Sequence, residues 1–556
     1  MRRLIIIIFL LVLSGTSYSE SNPYAIATAH ELATKAGEEI LQAGGNAFDA
    51  AVAISAALAV VEPYSSGIGG GGFWLLHEAK TNTDIVIDGR EIAPLSSTKD
   101  MYLDEQGKLT RDSIDGPLAA GIPGVVAALE VINNDYGKLS LKENLQPAIQ
   151  YAKQGFKPEL MYSRLAKFRK DVLLASPSAS AIFLKDGKVP DSESLIIQME
   201  LAATLEKIAE QGAKGFYQGE VAEKLVKGVQ DAGGIWQLED LNQYKVIKRE
   251  PIRTTFNNLE IIMPPPPTSG GVVITQILAM LEDQDLYELN EIDQAHTIVE
   301  AMRRAYQDRA IYLGDPAFVD MPMQDLLNKE YAKQKFSDFN SKQASISKEL
   351  PTTKLNEGND TTHFSVLDME GNYVSATLSI NYPFGSGFVP PGTGVLLNDE
   401  MDDFSMGEGI ANVYGLVGTE ANAIEPGKRM LSSMTPLFVR DEKEVLIVGT
   451  PGGSRIISML ALAILDFVEG ADSEEIVSEP RFHHQYLPDV IQHELDAFYQ
   501  EDQEALVDMG HKFKAIKNDY GNMQVIIWNK QLDTVDAASD PRGEGFAIIE
   551  EVTSDN

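Results

Sequence analysis

The chain has 556 residues, of which 44% are hydrophobic and 23% charged, and these ordinary values exclude a largely disordered protein. Its formal net charge of −36 argues against non-specific binding to nucleic acid or to an anionic membrane, and it requires a local cation wherever an anionic ligand binds. The sequence contains no cysteine, which excludes disulfides, a thiolate nucleophile and cysteine-ligated metals. Any catalysis must therefore use serine, threonine, histidine or carboxylate side chains, or a metal held by histidines and carboxylates.

The N-terminus has the pattern of a secretory signal peptide over residues 1–19. Two arginines precede an apolar run from Leu4 to Leu13, and small residues flank a cleavage point before Glu20. A helix that spans a bilayer needs about 20 apolar residues, and this run is too short. We therefore expect a mature protein that begins near Glu20, is periplasmic or secreted, and has no stable membrane anchor.

Helical patterns dominate the first two thirds of the chain. Helical spacing from His30 to Ala43 ends at a Gly-Gly pair, and Asn46 is placed to cap a second, nearly all-apolar helix that runs to Val61 and should be buried. Strand-like patterns follow over Phe73–Ala79 and Asp84–Asp88. Amphipathic helical patterns then fill most of residues 125–345.

Strand patterns dominate the next part, after a polar stretch at about residue 345 that marks a surface loop or boundary. The predicted strands are His363–Leu367, Tyr373–Ile380, Gly394–Asn398, Pro436–Arg440 and Val445–Val448, and a helix is predicted over Ser454–Val468. This order predicts a layered sandwich in which helices cover the sheets.

A threonine pair in the stretch NDTTHFSVLD raises the question of the nucleophile. The hydroxyl of Thr361 is a weak nucleophile unless a base removes its proton, and no histidine is obviously arranged to do so. Cleavage between Asp360 and Thr361 would free the α-amine of Thr361, whose pKa of roughly 7.7–8.0 suits a general base near neutral pH. The tripeptide Asp-Thr-Thr alone is more typical of a simple turn before a strand.

Motifs along the whole chain favour the first interpretation. In chain order they are GGNAFDAAVA, VVEPYSSGIGGGGF, GREIAP, PPPTSGG, NDTTHFSVLDMEGN, SINYPFGSG, GVLLNDEMDDFS, NVYGLV, LSSMTP and GTPGGSRI. Together they closely resemble the γ-glutamyltransferases, also called glutathione hydrolases, of the N-terminal nucleophile (Ntn) hydrolase superfamily, from about residue 24 to Arg542. The resemblance implies an α+β fold, a four-layer αββα sandwich formed jointly by two chains cut from one precursor. The large subunit would span 20–360 and the small catalytic subunit 361–556.

The resemblance also implies roles for residues within the motifs. Thr361 matches the nucleophile at the cleavage site between Asp360 and Thr361, and Arg90 matches the arginine that binds the α-carboxylate of the γ-glutamyl group. The other matched positions are Ser432 and Ser433 for the same carboxylate, Asn381, Glu400 and Asp403 for the α-ammonium, Gly452 and Gly453 for the oxyanion, and Tyr414 for a lid. The net charge agrees with these roles, because an acidic protein that binds an acidic substrate needs a local cation such as a bidentate arginine. Two nearby carboxylates can likewise bind one ammonium group in a partly dry pocket.

One position departs from the family pattern. Eighteen residues after the nucleophile the family usually has a second threonine that hydrogen-bonds the first, and here that residue is Ser379. The hydroxyl is kept but the methyl group is absent, so we expect the hydroxyl to be less firmly oriented. We expect activity to survive, and the rates of self-cleavage and turnover are the properties that this change would affect.

The resemblance implies a self-cleaving γ-glutamyltransferase and glutathione hydrolase. Thr361 would take the γ-glutamyl group from glutathione or a related compound and pass it to water or to an amino-acid or dipeptide acceptor, while the large and small subunits stay associated as a heterodimer. No metal or organic cofactor is implied, and no nucleic acid. Two alternatives remain open: a glutaryl or cephalosporin-type acylase of the same family, which would not need the ammonium-binding residues, and an inactive homologue that binds γ-glutamyl compounds.

Overall fold

The computed structural model describes residues 23–347, 361–407, 410, 412–517 and 520–550. The predicted signal peptide and Asp360 lie outside the described residues, so the expected subunit boundaries remain predictions. Among the helices of the described residues, none combines the length and the apolar character needed to cross a membrane.

Sixteen β-strands form three sheets in the described part of the chain. They are β1 Tyr24–Thr28, β2 Gly71–Glu78, β3 Thr83–Asp88, β4 Ile247–Arg249, β5 Ile252–Phe256, β6 Leu259–Met263, β7 Thr362–Leu367, β8 Tyr373–Ser379, β9 Leu437–Arg440, β10 Glu444–Gly449, β11 Phe482–His483, β12 Ile491–His493, β13 Phe513–Ala515, β14 Gln524–Asn529, β15 Thr534–Ser539 and β16 Phe546–Glu550. A seven-stranded sheet has the order β16-β1-β7-β8-β2-β3-β4, a six-stranded sheet the order β15-β14-β10-β9-β6-β5, and a small sheet the order β11-β12-β13. Both large sheets are antiparallel throughout.

Nineteen α-helices accompany these strands within the described residues. They are α1 Glu31–Gln42, α2 Ala47–Val61, α3 Val125–Tyr136, α4 Leu141–Asn144, α5 Gln146–Gln154, α6 Leu160–Phe168, α7 Lys170–Ala175, α8 Pro177–Phe183, α9 Met199–Gln211, α10 Lys214–Tyr217, α11 Gly219–Asp231, α12 Leu238–Gln243, α13 Gly270–Leu281, α14 Glu291–Tyr312, α15 Met323–Leu326, α16 Lys329–Phe336, α17 Ile456–Glu469, α18 Ser473–Ser478 and α19 Gln500–Asp508.

The two large sheets pack face to face, and helices cover their outer faces. Helix α2 packs on β7 and β8, while α13 packs on β5 and β6 and α17 packs on β10. One hydrophobic core, which includes Trp74 and Phe364, lies between the seven-stranded sheet and the helices outside it. A second core, which includes Phe73 and Ile447, fills the space between the sheets and beneath α13, α14 and α17. The layer order confirms the predicted αββα sandwich.

Local sequence signals account for the first two helices. The side chain of Asn46 accepts hydrogen bonds from the backbone N–H groups of Phe48 and Asp49, and the Asp49 carboxylate accepts one from the Asn46 N–H in return. This reciprocal cap starts α2, and every residue of the helix is buried, as its apolar composition predicts. In α1 the cap is His30, whose ring nitrogen accepts from the Leu32 N–H at 3.1 Å.

The strand predicted over Gly394–Asn398 is wrong. In that segment Leu397 forms an isolated bridge with Gly69, and the chain does not join a sheet. Gly394 has a φ of +65°, and a Cβ there would collide with the backbone nitrogen of Leu201. The segment is therefore a closely packed loop, because its first residue adopts a left-handed conformation that interrupts extended structure.

A polar layer joins the two sheets beneath the start of β7. Phe364 of β7 faces the helices, while Ser365 faces the other sheet and its hydroxyl contacts the carbonyl oxygens of Ile447 at 3.3 Å and Gln524 at 3.1 Å. On β8 the hydroxyl of Ser375 donates to the Val448 carbonyl at 2.9 Å. These bonds fix β7 and β8 against β10, the strand that leads into the Gly452-Gly453 turn.

Candidate active site

Thr361 directly precedes β7, which begins at Thr362. The antiparallel register pairs Thr362 with Leu378, which places Thr361 opposite Ser379 at the end of β8. The hydroxyl oxygens of Thr361 and Ser379 lie 3.4 Å apart, and the Ser379 hydroxyl also accepts from the Asn381 N–H at 2.8 Å. Both side chains are buried. The predicted orienting residue therefore stands beside the predicted nucleophile.

One pocket contains most of the residues that the sequence assigns to the site. Its lining includes Arg90, Thr361, Ser379, Asn381, Glu400, Asp403, Tyr414, Ser432, Ser433 and Gly453. Gly452 adjoins this lining without being part of it, and Asp360 is outside the described residues. The fold thus gathers these residues from strands, loops and turns that are more than 300 positions apart in the chain.

Arg90 is the centre of a buried ion-pair cluster. Its guanidinium forms ion pairs with Glu400 and, at 2.6 Å, with Asp403, and Glu91 lies 3.4 Å away. Burial by itself would lower the pKa of Arg90, but the charges of Glu400, Glu91 and Asp403 together raise it. The two carboxylates that the resemblance assigns to an ammonium, Glu400 and Asp403, thus bind Arg90, the arginine that it assigns to a carboxylate.

Burial raises the pKa of two acidic residues of this cluster, Glu91 and Glu400. Burial raises the pKa of Glu91 well above its ordinary value, and the charge of Glu400 raises it further. Burial also raises the pKa of Glu400, to about 7, although Arg90 acts in the opposite direction. The neighbouring Asp402 faces away from this cluster and accepts from the Ser113 hydroxyl and the Val413 N–H, both at 2.8 Å. Asp402 therefore anchors the loop that carries Tyr414.

Tyr414 lines the pocket from this loop. Its hydroxyl donates to the Asn381 carbonyl at 2.7 Å, and its backbone N–H donates to the Asn412 side chain at 3.0 Å. The ring lies against Gly453, where a Cβ would come within 2.6 Å of the Tyr414 ring. These contacts place Tyr414 at the wall of the pocket, and its role as a lid stays a prediction.

The Gly452-Gly453 pair forms the turn between β10 and α17. Both residues have positive φ values, +142° and +56°, which favour glycine. The turn continues as a single 3₁₀ turn over Gly453–Arg455 and then becomes α17. Because a helix N-terminus favours negative charge, this turn is a suitable place for an oxyanion.

Ser432 and Ser433 are held by the proline-rich loop over residues 264–269. The Ser432 N–H donates to the Pro267 carbonyl at 2.8 Å, and the Ser432 carbonyl accepts from the Ser269 hydroxyl at 2.8 Å. The Ser433 hydroxyl accepts from Arg309 Nη2 at 3.2 Å. The motif PPPTSGG therefore supports the motif LSSM, a relationship that neither motif reveals alone.

Sequence reasoning missed three ionisable groups near the site: Glu91, Arg309 and Glu62. For two of them the sequence offered only an indirect signal: Glu91 directly follows Arg90, and Arg309 lies on a helix whose pattern is amphipathic. Glu62 lines a second cavity together with Thr361, and its Oε2 has no hydrogen-bond partner among the described residues. Burial raises the pKa of Glu62 to about 8, against a smaller opposite effect of Thr362. Nothing in the residue pattern indicated a protonated carboxyl group beside the nucleophile.

A buried group of side chains that could hold a metal lies elsewhere, at His296, Glu300 and His511. The ring nitrogens of His296 and His511 are 2.7 Å apart, the separation of a direct hydrogen bond, and Glu300 pairs with Arg303 and Arg304. The three side chains thus already bind one another or neighbouring arginines, and none of the three lines the Thr361 pocket.

An αββα sandwich in which a threonine directly precedes a central strand, and in which a glycine turn follows a strand of the facing sheet, is typical of the Ntn hydrolases. Comparisons with known proteins agree. The chain is 42% identical over 499 residues to the glutathione hydrolase proenzyme of Pseudomonas sp. (strain A14), covering 88% of this chain and 86% of that protein. It is 41% identical over 525 residues to the glutathione hydrolase proenzyme of Escherichia coli (strain K12), covering 93% and 90%. Cephalosporin acylase from Bacillus halodurans has a similar structure, with a TM-score of 0.83, 27% identity and coverage of 95% and 96%.

A family model described as Gamma-glutamyltranspeptidase matches residues 33–549. The chain therefore belongs to the gamma-glutamyltranspeptidase family, as the motifs predicted.

Proposed function

We propose that this protein is a self-cleaving γ-glutamyltransferase and glutathione hydrolase in which Thr361 is the nucleophile. The observation that carries the proposal is a single pocket that joins Thr361 to a buried arginine, two carboxylates and a glycine turn. A γ-glutamyl head group carries both an α-carboxylate and an α-ammonium, and this pocket offers partners for each.

Maturation would begin when Thr361 Oγ attacks the carbonyl carbon of Asp360. The resulting ester replaces the peptide bond, and the proton lost by Oγ ends on the freed α-amine of Thr361. Water then hydrolyses the ester and leaves two chains. These would remain associated, because β1–β4 from one side of the cut and β7, β8 and β16 from the other side belong to the same sheet.

Turnover would use the freed α-amine as the base. It removes the proton from Thr361 Oγ, which attacks the γ-carbonyl carbon, and the oxyanion faces the Gly452-Gly453 turn. The leaving amine takes the proton as its C–N bond breaks. Water or the amino group of an amino acid or dipeptide then attacks the γ-glutamyl ester, so that glutamate or a new γ-glutamyl compound leaves and the Oγ proton is restored.

The acylase alternative makes different demands on the pocket. A glutaryl group has the terminal carboxylate but lacks the α-ammonium, so it would leave Glu400 and Asp403 without a cationic ligand group. The presence of both carboxylates at the pocket, beside Asn381, supports a γ-glutamyl donor over a glutaryl one. A binding protein without turnover would need neither Thr361 nor the glycine turn.

Export is the remaining element of the proposal. It rests on the charged and apolar pattern of residues 1–19, and mature protein recovered from a periplasmic extract should begin near Glu20.

The test combines intact mass with two matched donors. Wild-type protein should separate under denaturing conditions into two species, the smaller beginning at Thr361, and it should release p-nitroaniline from γ-glutamyl-p-nitroanilide far faster than from glutaryl-p-nitroanilide. Thr361→Ala should give one uncut chain without activity. Thr362→Val, which removes the neighbouring hydroxyl, should still be cut and active. A cut Thr361→Ala chain would refute the assigned nucleophile, and preference for the glutaryl compound would establish the acylase instead.

A further inference from the structure

The charges around Arg90 leave the α-carboxylate of a donor without a full counter-charge. Arg90 contributes one positive charge and is paired with both Glu400 and Asp403, while burial raises the pKa of Glu400 to about 7 and so leaves it only partly ionised near neutral pH. The cluster is therefore net negative. A zwitterionic head group adds no net charge, so some other cation must balance the pocket.

Arg309 is a buried cation beside this cluster. It lies in the last turn of α14, with 5% of its surface exposed. Its Nε donates to the Ser269 hydroxyl at 3.0 Å and its Nη2 to the Ser433 hydroxyl at 3.2 Å. No carboxylate of the described residues forms an ion pair with it, in contrast to Arg303 and Arg304 on the same helix, which pair with Glu300.

The surroundings of Arg309 leave its charge uncompensated. Burial lowers its pKa, and interactions with Tyr306 and Asp403 only partly offset this effect. Asp403 is directed elsewhere: one of its carboxylate oxygens binds Arg90 and the other accepts from Asn412. Arg309 and Asp403 also line a small cavity that adjoins the main pocket, since Asp403 and Leu416 line both.

The bond to Ser433 links this cation to the ligand. Because the Ser433 oxygen accepts from Arg309, its hydroxyl proton is directed away from Arg309 and is available for an acceptor in the pocket. A hydrogen bond from a cation also makes a hydroxyl a stronger donor. Ser433 is thus placed to transmit the charge of Arg309 to a carboxylate that binds at the pocket wall.

We propose that Arg309 is a positioning residue that supplies, through Ser433, the positive charge required by the α-carboxylate of the γ-glutamyl donor. This inference rests on the proposed function and deepens it. It divides the recognition of the head group between two arginines: Arg90 exchanges its carboxylate partners with the ligand, and Arg309 stays in place and polarises Ser433.

The test compares two inhibitors that differ only in the α-carboxylate, L-glutamate and 4-aminobutanoate, against hydrolysis of γ-glutamyl-p-nitroanilide. In Arg309→Gln the inhibition constant of L-glutamate should rise by about 10- to 100-fold, the effect of losing a charge-assisted hydrogen bond. The inhibition constant of 4-aminobutanoate should change by less than about threefold, on the same scale. KM should rise more than kcat falls.

Two further variants separate a specific role from a structural one. Arg309→Lys keeps the charge without the paired donors, and the ratio of the two inhibition constants should move in the same direction by a smaller factor. If Arg309→Gln is not cut, as judged by intact mass, Arg309→Lys carries the test. Arg304→Gln removes another buried arginine of α14 and should lower thermal stability without changing the ratio.

Equal changes for both inhibitors, or no change in Arg309→Gln or in Arg309→Lys where that variant carries the test, would overturn the inference. Failure of wild-type protein to hydrolyse γ-glutamyl-p-nitroanilide would instead refute the proposed function, so the two failures are distinguishable.

Discussion

The hydroxyl of Ser379 lies 3.4 Å from that of Thr361, across the antiparallel pair β7 and β8. The sequence shows only that the two residues are eighteen positions apart. The register of the hairpin brings them together, because Thr362 pairs with Leu378 and the next pair outward is Thr361 with Ser379. Loss of one methyl group relative to threonine has therefore not removed the hydroxyl from the site.

The first prediction concerns this pair. Ser379→Ala should slow self-cleavage and lower kcat by about 10- to 100-fold, because Thr361 Oγ loses a partner that orients it. A time course of intact mass measures cleavage, and initial rates with γ-glutamyl-p-nitroanilide measure turnover. Ser379→Thr is the control and should match or exceed wild-type rates, since the added methyl group restricts the side chain. Wild-type rates in Ser379→Ala would show that Ser379 does not orient the nucleophile.

The second prediction concerns the glycine turn. Gly453→Ala should lower kcat by about 100-fold or more, the scale of losing an oxyanion donor, because a Cβ would strike the Tyr414 ring at 2.6 Å at a residue with a φ of +56°. Steady-state kinetics measure the loss.

Gly470→Ala provides a matched control for that substitution. Gly470 ends α17 and has a φ of +90°, and no atom lies within 4 Å of the position that a Cβ would take there. Its replacement should cost about 1 kcal/mol of stability with no change in kcat. If both variants kept full activity, the turn would not serve the oxyanion.

The third prediction concerns the buried carboxyl of Glu62. Its pKa of about 8 in the folded protein exceeds its ordinary value, so the protonated form stabilises the fold at low pH, and this stability is lost as pH rises through about 8. The free energy of unfolding should fall by roughly 4 kcal/mol between pH 5 and pH 9 from this group. Glu62→Gln should reduce the fall.

Calorimetry of uncut protein is the suitable measurement for Glu62. The Thr361→Ala background avoids a new α-amine beside the cavity that Glu62 and Thr361 share. Apparent Tm values at pH 5.5 and pH 8.5 should differ less in Thr361→Ala/Glu62→Gln than in Thr361→Ala alone. Identical pH dependence in the two proteins would mean that Glu62 is ionised in the folded state.

The sequence by itself determined the features that depend on neighbouring residues. The Asn46 cap starts α2 with contacts within three positions, and the turn DMEGN closes β7 and β8 because Asp368 accepts from Glu370 and Asn372. The ordered motifs likewise led to the family and to the αββα sandwich. The failed strand at Gly394–Asn398 marks the limit of this approach, because close packing against Leu201 decided its conformation.

Tertiary structure decided how distant charges combine. Arg90 and Glu400 are 310 positions apart and form an ion pair. The resemblance had assigned Arg90 to the carboxylate of the ligand and Glu400 to its ammonium. Arg309 reaches Ser433 across 124 positions. Such pairings depend on which strands become neighbours, as when β1 lies between β16 and β7. The periodicity of a strand predicts which side chains share one face of the sheet, but it does not predict which strand lies next to it. Residue types therefore predicted the chemistry of the pocket, whereas only the folded chain shows how its charges are balanced.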